Sequence, residues 1–386
     1  MTIFRTLKPL MVKEKECKVC GARSKLIASA IGVCAQCLKD RPSEALPIAM
    51  EAHRESRGRY GLPKEPPKDP KGALCGLCAN DCRIPIGGYG YCGLARNQDG
   101  NILRIAGTPD KGLLEWYYDP LPTNCVAAFT CPGCTGSGYP KYAYLNGPEY
   151  GYNNLAVFYG SCSLDCLFCQ NWSYRELAFR GTPILTAEEL ASKVNERVSC
   201  ICYFGGDPSP QMPHAIKTSE LAIKRAKQWN GILRICWETN GLMSRKAVEK
   251  AVELSLKTGG NIKFDLKAWS EPIYKALCGV SNKPIYENFR FVASLIGERL
   301  NPPLLTASTL LVPGYVDVEE VKSIARFIAS LNPNIPYSLL AFYPCYMIHD
   351  LPTTSSSHAQ EALKAAKREG LNNVVIGNIH LLSNAY

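Results

Sequence analysis

Three cysteines lie within eight residues of the segment GSCSLDCLFCQN, at Cys162, Cys166 and Cys169. An aromatic residue, Phe168, directly precedes the third. Three thiolates can bind three irons of a [4Fe–4S] cluster and leave the fourth iron open, whereas a cluster that only transfers electrons usually has a protein ligand on every iron. The spacing therefore favours a cluster that does chemistry at an open iron.

Eleven further cysteines form three groups nearer the N-terminus. The first group is two CxxC motifs separated by thirteen residues, a pattern that predicts a zinc-ribbon-like module, with iron as the alternative metal. The second lies in a glycine-rich segment and fits zinc or an iron–sulfur cluster. The third offers three thiols for an auxiliary iron–sulfur cluster or for a structural turn. In order, the candidate metal ligands are Cys17, Cys20, Cys34 and Cys37; Cys75, Cys78, Cys82 and Cys92; and Cys125, Cys131 and Cys134.

The composition places this chemistry in a reducing compartment. The N-terminal segment lacks the apolar core of a signal peptide and no apolar run is long enough for a membrane span, so we expect a cytoplasmic protein. Nineteen cysteines in such a protein indicate metal or redox chemistry rather than disulfides. Five of them are expected to be ordinary buried residues, namely Cys200, Cys202, Cys236, Cys278 and Cys345.

The positive charge of the chain is weak evidence for a nucleic-acid partner. The formal net charge is +10, but it assumes neutral thiols. Two zinc ions with four thiolates each and one cluster with three would lower it to roughly +5. Lysine and arginine are also spread along the chain without a long block.

Apolar, β-branched runs alternate with amphipathic segments in the C-terminal part of the chain. This alternation predicts parallel βα units, that is, an α/β fold with a partial (β/α)6 barrel resembling a TIM barrel. The predicted strands are 155–160, 200–206, 233–240, 262–268, 306–314 and 337–344. The predicted organisation is a zinc-ribbon-like module at 1–45, a helix and proline-rich linker at 46–73, a cysteine-rich module at 74–150, and the barrel with a C-terminal extension at 151–386.

Polar and glycine residues follow the predicted strands, where a barrel of this kind places its active site. The cysteine loop follows the first strand. The residues at the ends of later strands are Gly205, Gly206 and Asp207; Glu238, Thr239 and Asn240; Asp265 and Lys267; and Tyr343.

The segment CSLDCLFC resembles the CxxxCxxC signature of the radical SAM superfamily, and the resemblance extends over residues of about 150–345. It implies a radical SAM barrel whose [4Fe–4S] cluster is held by Cys162, Cys166 and Cys169. In that family S-adenosylmethionine (SAM) chelates the open iron and is cleaved to methionine and a 5′-deoxyadenosyl radical, which removes a hydrogen atom from the substrate.

Three later motifs resemble pyruvate formate-lyase activating enzyme and its relatives. FGGDP is similar to the glycine-rich loop that binds the methionine amino group, with Asp207 where glutamate is typical. ETNG and DLK imply that Lys267 binds the methionine carboxylate and that Glu238, Thr239 and Asp265 hold a monovalent cation beside it. Tyr343 stands where a histidine near the ribose is common, and Ser308 where a basic residue is common.

The segment CGLCANDCRIPIGGYGYCG followed by CQNW is similar to the radical SAM proteins of the AmmeMemoRadiSam system, an activating-enzyme-like group. The resemblance implies an anaerobic oxidoreductase with a low-potential ferredoxin or flavodoxin as electron donor. The substrate would be a backbone glycine of a partner protein, a small molecule or a lipid. Two alternatives are a radical SAM or zinc-ribbon protein that acts on RNA, and an iron–sulfur electron carrier without SAM chemistry.

Overall fold

The central element of the fold is a nine-stranded sheet. The structure is a computed structural model and describes residues 12–123 and 125–386. Its strands are β1 (Lys15–Glu16), β2 (Arg23–Ser24), β3 (Ala73–Leu74), β4 (Arg83–Ile84), β5 (Ala95–Gln98), β6 (Asn101–Arg104), β7 (Gly112–Pro120), β8 (Asn153–Tyr159), β9 (Ile184–Leu185), β10 (Val198–Gly205), β11 (Arg234–Thr239), β12 (Ile262–Asp265), β13 (Leu305–Leu311), β14 (Tyr337–Ala341) and β15 (Val374–Gly377). The strand order in the central sheet is β15-β14-β13-β12-β11-β10-β8-β7-β9.

Helices connect most of the successive parallel strands. They are α1 (Ala35–Asp40), α2 (Pro42–Gly58), α3 (Pro132–Thr135), α4 (Tyr174–Arg180), α5 (Ala187–Ala191), α6 (Met212–Ala226), α7 (Arg245–Thr258), α8 (Glu271–Cys278), α9 (Lys283–Ala293), α10 (Val318–Leu331) and α11 (Ser356–Arg368). Over the described residues, no helix has both the length and the apolar composition to cross a membrane.

The predicted α/β fold with a partial barrel is confirmed, but the sheet is wider than predicted. All six predicted strands are present, and β15 is a seventh parallel strand that pairs with β14. The short segment VVIG of β15 lies between α11 and the C-terminus, too short to give a clear strand pattern. At the other edge, β7 pairs antiparallel with β8 over residues 114–120 and 153–159. Residues of the segment predicted as the 74–150 module therefore complete the central sheet, while the division into modules stays a prediction.

Local sequence accounts for how the helices cover the sheet. In α10 the buried residues Val321, Ile324, Ala325 and Ile328 follow the helical period and face the core. Asp317 caps this helix by accepting a hydrogen bond from the backbone N–H of Glu320. The strands they cover are buried on both faces, as parallel strands between helices are.

A buried ionic cluster attaches α2 to the cysteine loop that follows β8. The Asp165 carboxylate lies 2.6 Å from Arg175 Nη2 and 2.9 Å from His53 Nδ1, and it accepts a 2.9 Å hydrogen bond from Ser56 Oγ. Asp165, Arg175 and His53 are all buried. Burial raises the pKa of Asp165, but His53 and Arg175 outweigh it and hold the pKa well below its usual range. The N-terminal helix and the loop thus depend on one another.

The amino ends of the parallel strands are covered by residues 142–149. Glu149 lies 2.6 Å from Arg234 Nη2 and accepts a 2.6 Å hydrogen bond from Ser199 Oγ. Arg234 also donates to the carbonyl of Tyr142 at 2.8 Å. Because Arg234 and Ser199 begin β11 and β10, these contacts close one end of the barrel and leave the carboxyl ends open.

We expect Asp165→Asn to destabilise the protein, because it leaves the buried Arg175 guanidinium without its counter-charge. The free energy of unfolding should fall by about 3 kcal/mol or more at pH 7, the cost of removing one partner of a buried ion pair. Equilibrium unfolding in urea measures this loss.

The pH dependence of the free energy of unfolding provides a second test of the role of Asp165. Because the folded-state pKa of Asp165 is lowered, its contribution is present above about pH 4 and is lost as the pH falls below that value. The difference between wild type and Asp165→Asn should therefore narrow in acid. The exposed Asp110→Asn is the control and should change little; equal losses in both variants would refute the structural role of Asp165.

Candidate active site

A cleft of about 320 Å³ opens at the carboxyl ends of the parallel strands. Its lining comes from the loop after β8, from the ends of β10, β11 and β12, and from β13, β14 and neighbouring loops. The lining residues are Val126, Cys162, Leu164, Cys166, Phe168, Cys169, Gln170, Asn171, Tyr174, Phe204, Gly205, Gly206, Asp207, Glu238, Asn240, Lys263, Asp265, Lys267, Leu310, Leu340 and Asn378.

The cysteine loop reaches the cleft because backbone hydrogen bonds hold it against the end of α8. The N–H of Asp165 donates to the carbonyl of Cys278 at 3.0 Å, and the N–H of Leu167 donates to that of Leu277 at 3.0 Å. Together with the ionic cluster around Asp165, these bonds fix the loop on two sides. All three thiols of the opening motif therefore face one space.

Two of these thiols have donors directly beside them. The side-chain amide of Asn240 donates to Cys162 Sγ at 3.5 Å, and Cys278 Sγ lies 3.7 Å from Cys166 Sγ. Hydrogen bonding with Cys278 lowers the pKa of the Cys166 thiol, whereas burial raises the pKa of Cys162. Cys278 is buried behind the loop and does not line the cleft, so its position beside Cys166 is a contact that sequence spacing missed.

Glycine is required where β10 ends. A Cβ on Gly206 would lie 2.2 Å from the carbonyl oxygen of Ser161, and Gly205 has φ +104°. The end of β10 can therefore pack directly on the loop after β8, which leaves backbone groups of both glycines facing the cleft.

Asp207 joins two strand ends. Its carboxylate accepts hydrogen bonds from Thr239 Oγ1 at 3.0 Å, from the backbone N–H of Asn240 at 2.6 Å and from that of Ser209 at 2.8 Å. Burial raises its pKa. Asp207, which stands where glutamate is typical, thus links the loops that follow β10 and β11.

Two predicted residues do not reach the cleft lining. Thr239 is buried with its hydroxyl directed at Asp207, and Tyr343 lies just beyond β14, where Leu340 faces the cleft instead. That Thr239 helps to hold a cation and that Tyr343 contacts a ribose stay predictions. The other predicted residues at the strand ends, with Phe168 and the three cysteines, line the same space.

An ammonium group occupies the position between the carboxylates that were predicted to hold a monovalent cation. Lys263 Nζ lies 2.9 Å from Asp265 Oδ1 and 3.5 Å from Glu238 Oε2. Lys267 Nζ lies 3.1 Å from the other oxygen of Asp265, and Ser308 donates to Asp265 at 2.6 Å. Although burial raises the pKa of Asp265, the two lysines hold it well below its usual range. Sequence analysis did not identify Lys263 as an internal cation. The signal was its position two residues before Asp265, which places both side chains on one face of the strand.

The first cysteine group has the geometry of a single-ion site. Cys17 Sγ lies 3.8 Å from Cys37 Sγ, and Cys20 Sγ lies 3.9 Å from Cys34 Sγ. The four sulfurs all lie within 4.8 Å of one another. A tetrahedron with metal–sulfur bonds of about 2.3 Å has edges of about 3.8 Å, so the four thiols fit one tetrahedral ion.

The second group encloses a small space instead of converging on a point. Cys75, Cys78, Cys82 and Cys92 line one closed cavity together with Arg104, whose guanidinium donates to Cys75 Sγ at 3.5 Å. Within the described ranges, only the first group brings three or more ligand atoms within 4.8 Å. The second group therefore has a wider spacing than a single tetrahedral ion requires.

The third group lies inside the barrel. Cys125 Sγ donates to Glu238 Oε1 at 3.0 Å, and Val126 lines the cleft. Cys131 and Cys134 flank the start of α3, close to the amino end of β11. The loop thus extends from the closed end of the barrel towards the cleft.

Comparisons with known proteins agree with this geometry. Residues 156–328 match the family model described as the Radical SAM superfamily. An uncharacterized protein of Methanocaldococcus jannaschii is 25% identical over 315 residues, which cover 79% of this chain and 81% of that protein. The isethionate sulfite-lyase activating enzyme of Desulfovibrio desulfuricans is 33% identical over 141 residues, 36% of this chain and 40% of that enzyme. The chain thus matches less than half the length of that enzyme.

Two of the solved structures that match this chain differ in coverage and similarity. A domain of pyruvate-formate lyase-activating enzyme from Bacteroides vulgatus covers 46% of this chain and 98% of that chain, with 22% identity and a TM-score of 0.36. Streptococcus suis SuiB bound to precursor peptide SuiA covers 57% of this chain and 47% of that chain, with 15% identity and a TM-score of 0.42. The finer likeness to the AmmeMemoRadiSam group stays a prediction.

We expect Lys263→Met to leave Glu238 and Asp265 repelling each other without the ammonium between them. The variant should lose roughly 3 kcal/mol in its free energy of unfolding at pH 7. Added K⁺ should restore part of this loss, because the freed carboxylates then form a cation site.

Unfolding in urea with K⁺ or with a bulky organic cation measures both effects. Lys263→Arg is the matched control, since it keeps the charge and should show no K⁺ dependence. A Lys263→Met variant as stable as wild type, or one indifferent to K⁺, would contradict the role of Lys263 as an internal cation.

Proposed function

Because residues 156–328 match the model of the radical SAM superfamily, we propose that the cleft binds a [4Fe–4S] cluster and SAM. The observation that carries the proposal is that three cysteines line the cleft, all from the loop after β8, together with a glycine backbone and two lysines. Cys278 lies beside Cys166 but does not line the cleft. It would therefore be a neighbour of a cluster ligand and not a ligand itself. When bound, the cluster and SAM supply a 5′-deoxyadenosyl radical that removes a hydrogen atom from the substrate.

The protein groups around the thiols fit an anionic cluster. Cys162, Cys166 and Cys169 would be its ligands. Asn240 would donate an N–H to one sulfur, and the positive charge of Lys267 lies close enough to Cys166 to affect its pKa. Donors and charges around ligating sulfurs tune the potential of such clusters.

The remaining cleft residues fit the parts of SAM. Backbone groups of Gly205 and Gly206 would bind the methionine amino group, and Lys267 would bind the carboxylate. Leu310 and Leu340 offer apolar surface for the adenosine. Lys263 would take the place of a monovalent cation, since it already pairs with Asp265 and Glu238.

The substrate we propose is a backbone glycine of a partner protein. The match to an activating enzyme supports this, although it covers only 40% of that enzyme's length. A small molecule or a lipid is the alternative. A low-potential ferredoxin or flavodoxin would supply the electron, because reducing a cluster bound to SAM requires a strongly negative potential.

We propose zinc at the first cysteine group, with a structural role. Its sulfur distances fit a tetrahedral ion. The surrounding residues dock on the barrel, because the buried Tyr315 hydroxyl accepts from the N–H of Ala28 at 3.0 Å and donates to the carbonyl of Val33 at 2.9 Å. This docking favours a support for the barrel over a free nucleic-acid-binding ribbon.

At the second cysteine group we propose a metal centre, either zinc or an iron–sulfur cluster. The support is the position of its four thiols around a closed cavity and the donor from Arg104.

SAM cleavage tests the proposed function. Anaerobically reconstituted protein, reduced with dithionite and given SAM, should form 5′-deoxyadenosine and methionine. Cys166→Ala should reduce 5′-deoxyadenosine to background and keep the zinc of the first group, because that metal lies outside the cleft. Cys345→Ala removes a thiol that does not line the cleft and should cleave SAM at the wild-type rate. Cleavage that survives in Cys166→Ala would show that the site is assigned wrongly.

A further inference from the structure

Six cysteines meet in the interior of the barrel. Three belong to the loop after β7, and three belong to β10 and β11, where sequence analysis expects ordinary buried residues. They are Cys125, Cys131, Cys134, Cys200, Cys202 and Cys236.

The strand register places two of these cysteines side by side. Cys202 of β10 and Cys236 of β11 are direct partners in the parallel pairing. Side chains two residues apart on a strand share a face, so Cys202 shares its face with Phe204, and Cys236 shares its face with Glu238. Phe204 and Glu238 line the cleft, and the two thiols therefore lie on the inner face of the barrel, below it.

The loop brings the other thiols to the same place. Cys125 touches Glu238 at 3.0 Å, directly above Cys236 on β11. At the other end of the loop, a Cβ on Gly133 would lie 3.1 Å from Arg234 Nη2, which places the turn of Cys131 and Cys134 against the start of β11. Cys131 is near enough to Cys125 and Cys236 for the charges of the thiolates to interact.

Several of these cysteines retain accessible surface inside the barrel. Cys125, Cys131, Cys202 and Cys236 are only half-buried although they lie inside the barrel, as expected for residues that line an internal space. Across the described residues, no three of these sulfurs come within 4.8 Å of one another. A single tetrahedral ion with ligands about 3.8 Å apart would leave this space unfilled.

Buried positive charge surrounds the same space. Arg299 is buried and donates to the carbonyls of Ser255, at 2.7 Å, and Gly260, and it has no ion-pair partner among the residues the structure describes. Its charge interacts with Cys236. The Nε atoms of Arg299 and of the fully buried Arg234 lack hydrogen-bond partners within the described ranges. A buried cation without a counter-charge lowers the stability of the protein, so binding of an anion at this site would be favourable.

We propose that the barrel interior holds an auxiliary iron–sulfur cluster bound by Cys125, Cys131 and Cys134, with the strand pair Cys202 and Cys236 supplying the fourth ligand. A [4Fe–4S]²⁺ cluster with four thiolates carries a charge of −2, part of which Arg299 would offset, whereas Arg234 already pairs with Glu149. The cluster would lie on the far side of Glu238 from the SAM cleft. This proposal does not depend on SAM cleavage.

Metal counting on the full chain tests the proposal. Protein reconstituted with ferrous iron and sulfide under anaerobic conditions is analysed for iron, sulfide and zinc. Cys202→Ser/Cys236→Ser and Cys131→Ala/Cys134→Ala should each lose about four irons relative to wild type and retain zinc. Cys345→Ser is the matched control and should lose none. Iron contents equal to wild type in both interior variants would overturn the proposal.

A second variant removes the dependence on how well the interior variants fold. In a chain with Cys75, Cys78, Cys162, Cys166 and Cys169 changed to alanine, the interior thiols are the remaining group that fits a cluster, since the first cysteine group fits a single ion. This chain should still bind about four irons with a Mössbauer spectrum of a cluster. A chain that has native circular dichroism and binds no iron would overturn the proposal. Loss of SAM cleavage in this variant concerns the other site and is expected.

Discussion

The buried carboxylate of Asp165 is the group on which the rest of the site depends. It lies between Cys162 and Cys166 in the sequence, and it pairs with Arg175 on one side and contacts His53 on the other. A buried charge is stable only with its partners in place, so the position of the cysteine loop follows from the positions of α2 and α4. This constraint explains why an N-terminal helix, far away in sequence, is part of the active-site architecture. The residues of the first cysteine group, which precede α2, dock on the barrel through Tyr315.

Buried charged side chains, in addition to apolar packing, determine the arrangement of the barrel interior. Lys263 and Lys267 converge on Asp265 at the cleft, and Arg234 pairs with Glu149 at the closed end. Arg299 is buried near the start of β12 and, among the residues the structure describes, has no carboxylate partner. Buried cations in this arrangement match anionic sulfur clusters and a ligand carboxylate. The same charges explain why a chain with this many thiols can bury them.

Much of the site is predictable because its chemistry is local in sequence. The spacing of Cys162, Cys166 and Cys169, the two CxxC motifs and the polar residues at strand ends are all read within short windows. The residues that were missed depend on contacts over long separations. Cys278 reaches Cys166 across 112 positions, and Cys202 meets Cys236 only through strand register. The contact of Thr239 was missed for a related reason, since the direction of a side chain at a strand end is set by its partner, here Asp207. The strand β7 was missed because its partner β8 follows a long loop.

The most direct measurement of the central claim is electron–nuclear double resonance on the reduced protein with SAM labelled by ¹⁵N at the methionine amino group. If the thiols of the cleft bind three irons and leave one open, the label should show hyperfine coupling to the reduced cluster, and the coupling should vanish in Cys166→Ala. A reduced cluster that shows no coupling to labelled SAM, with SAM bound to the protein, would contradict the account. The loop after β8 would then hold a cluster whose irons are all closed to SAM.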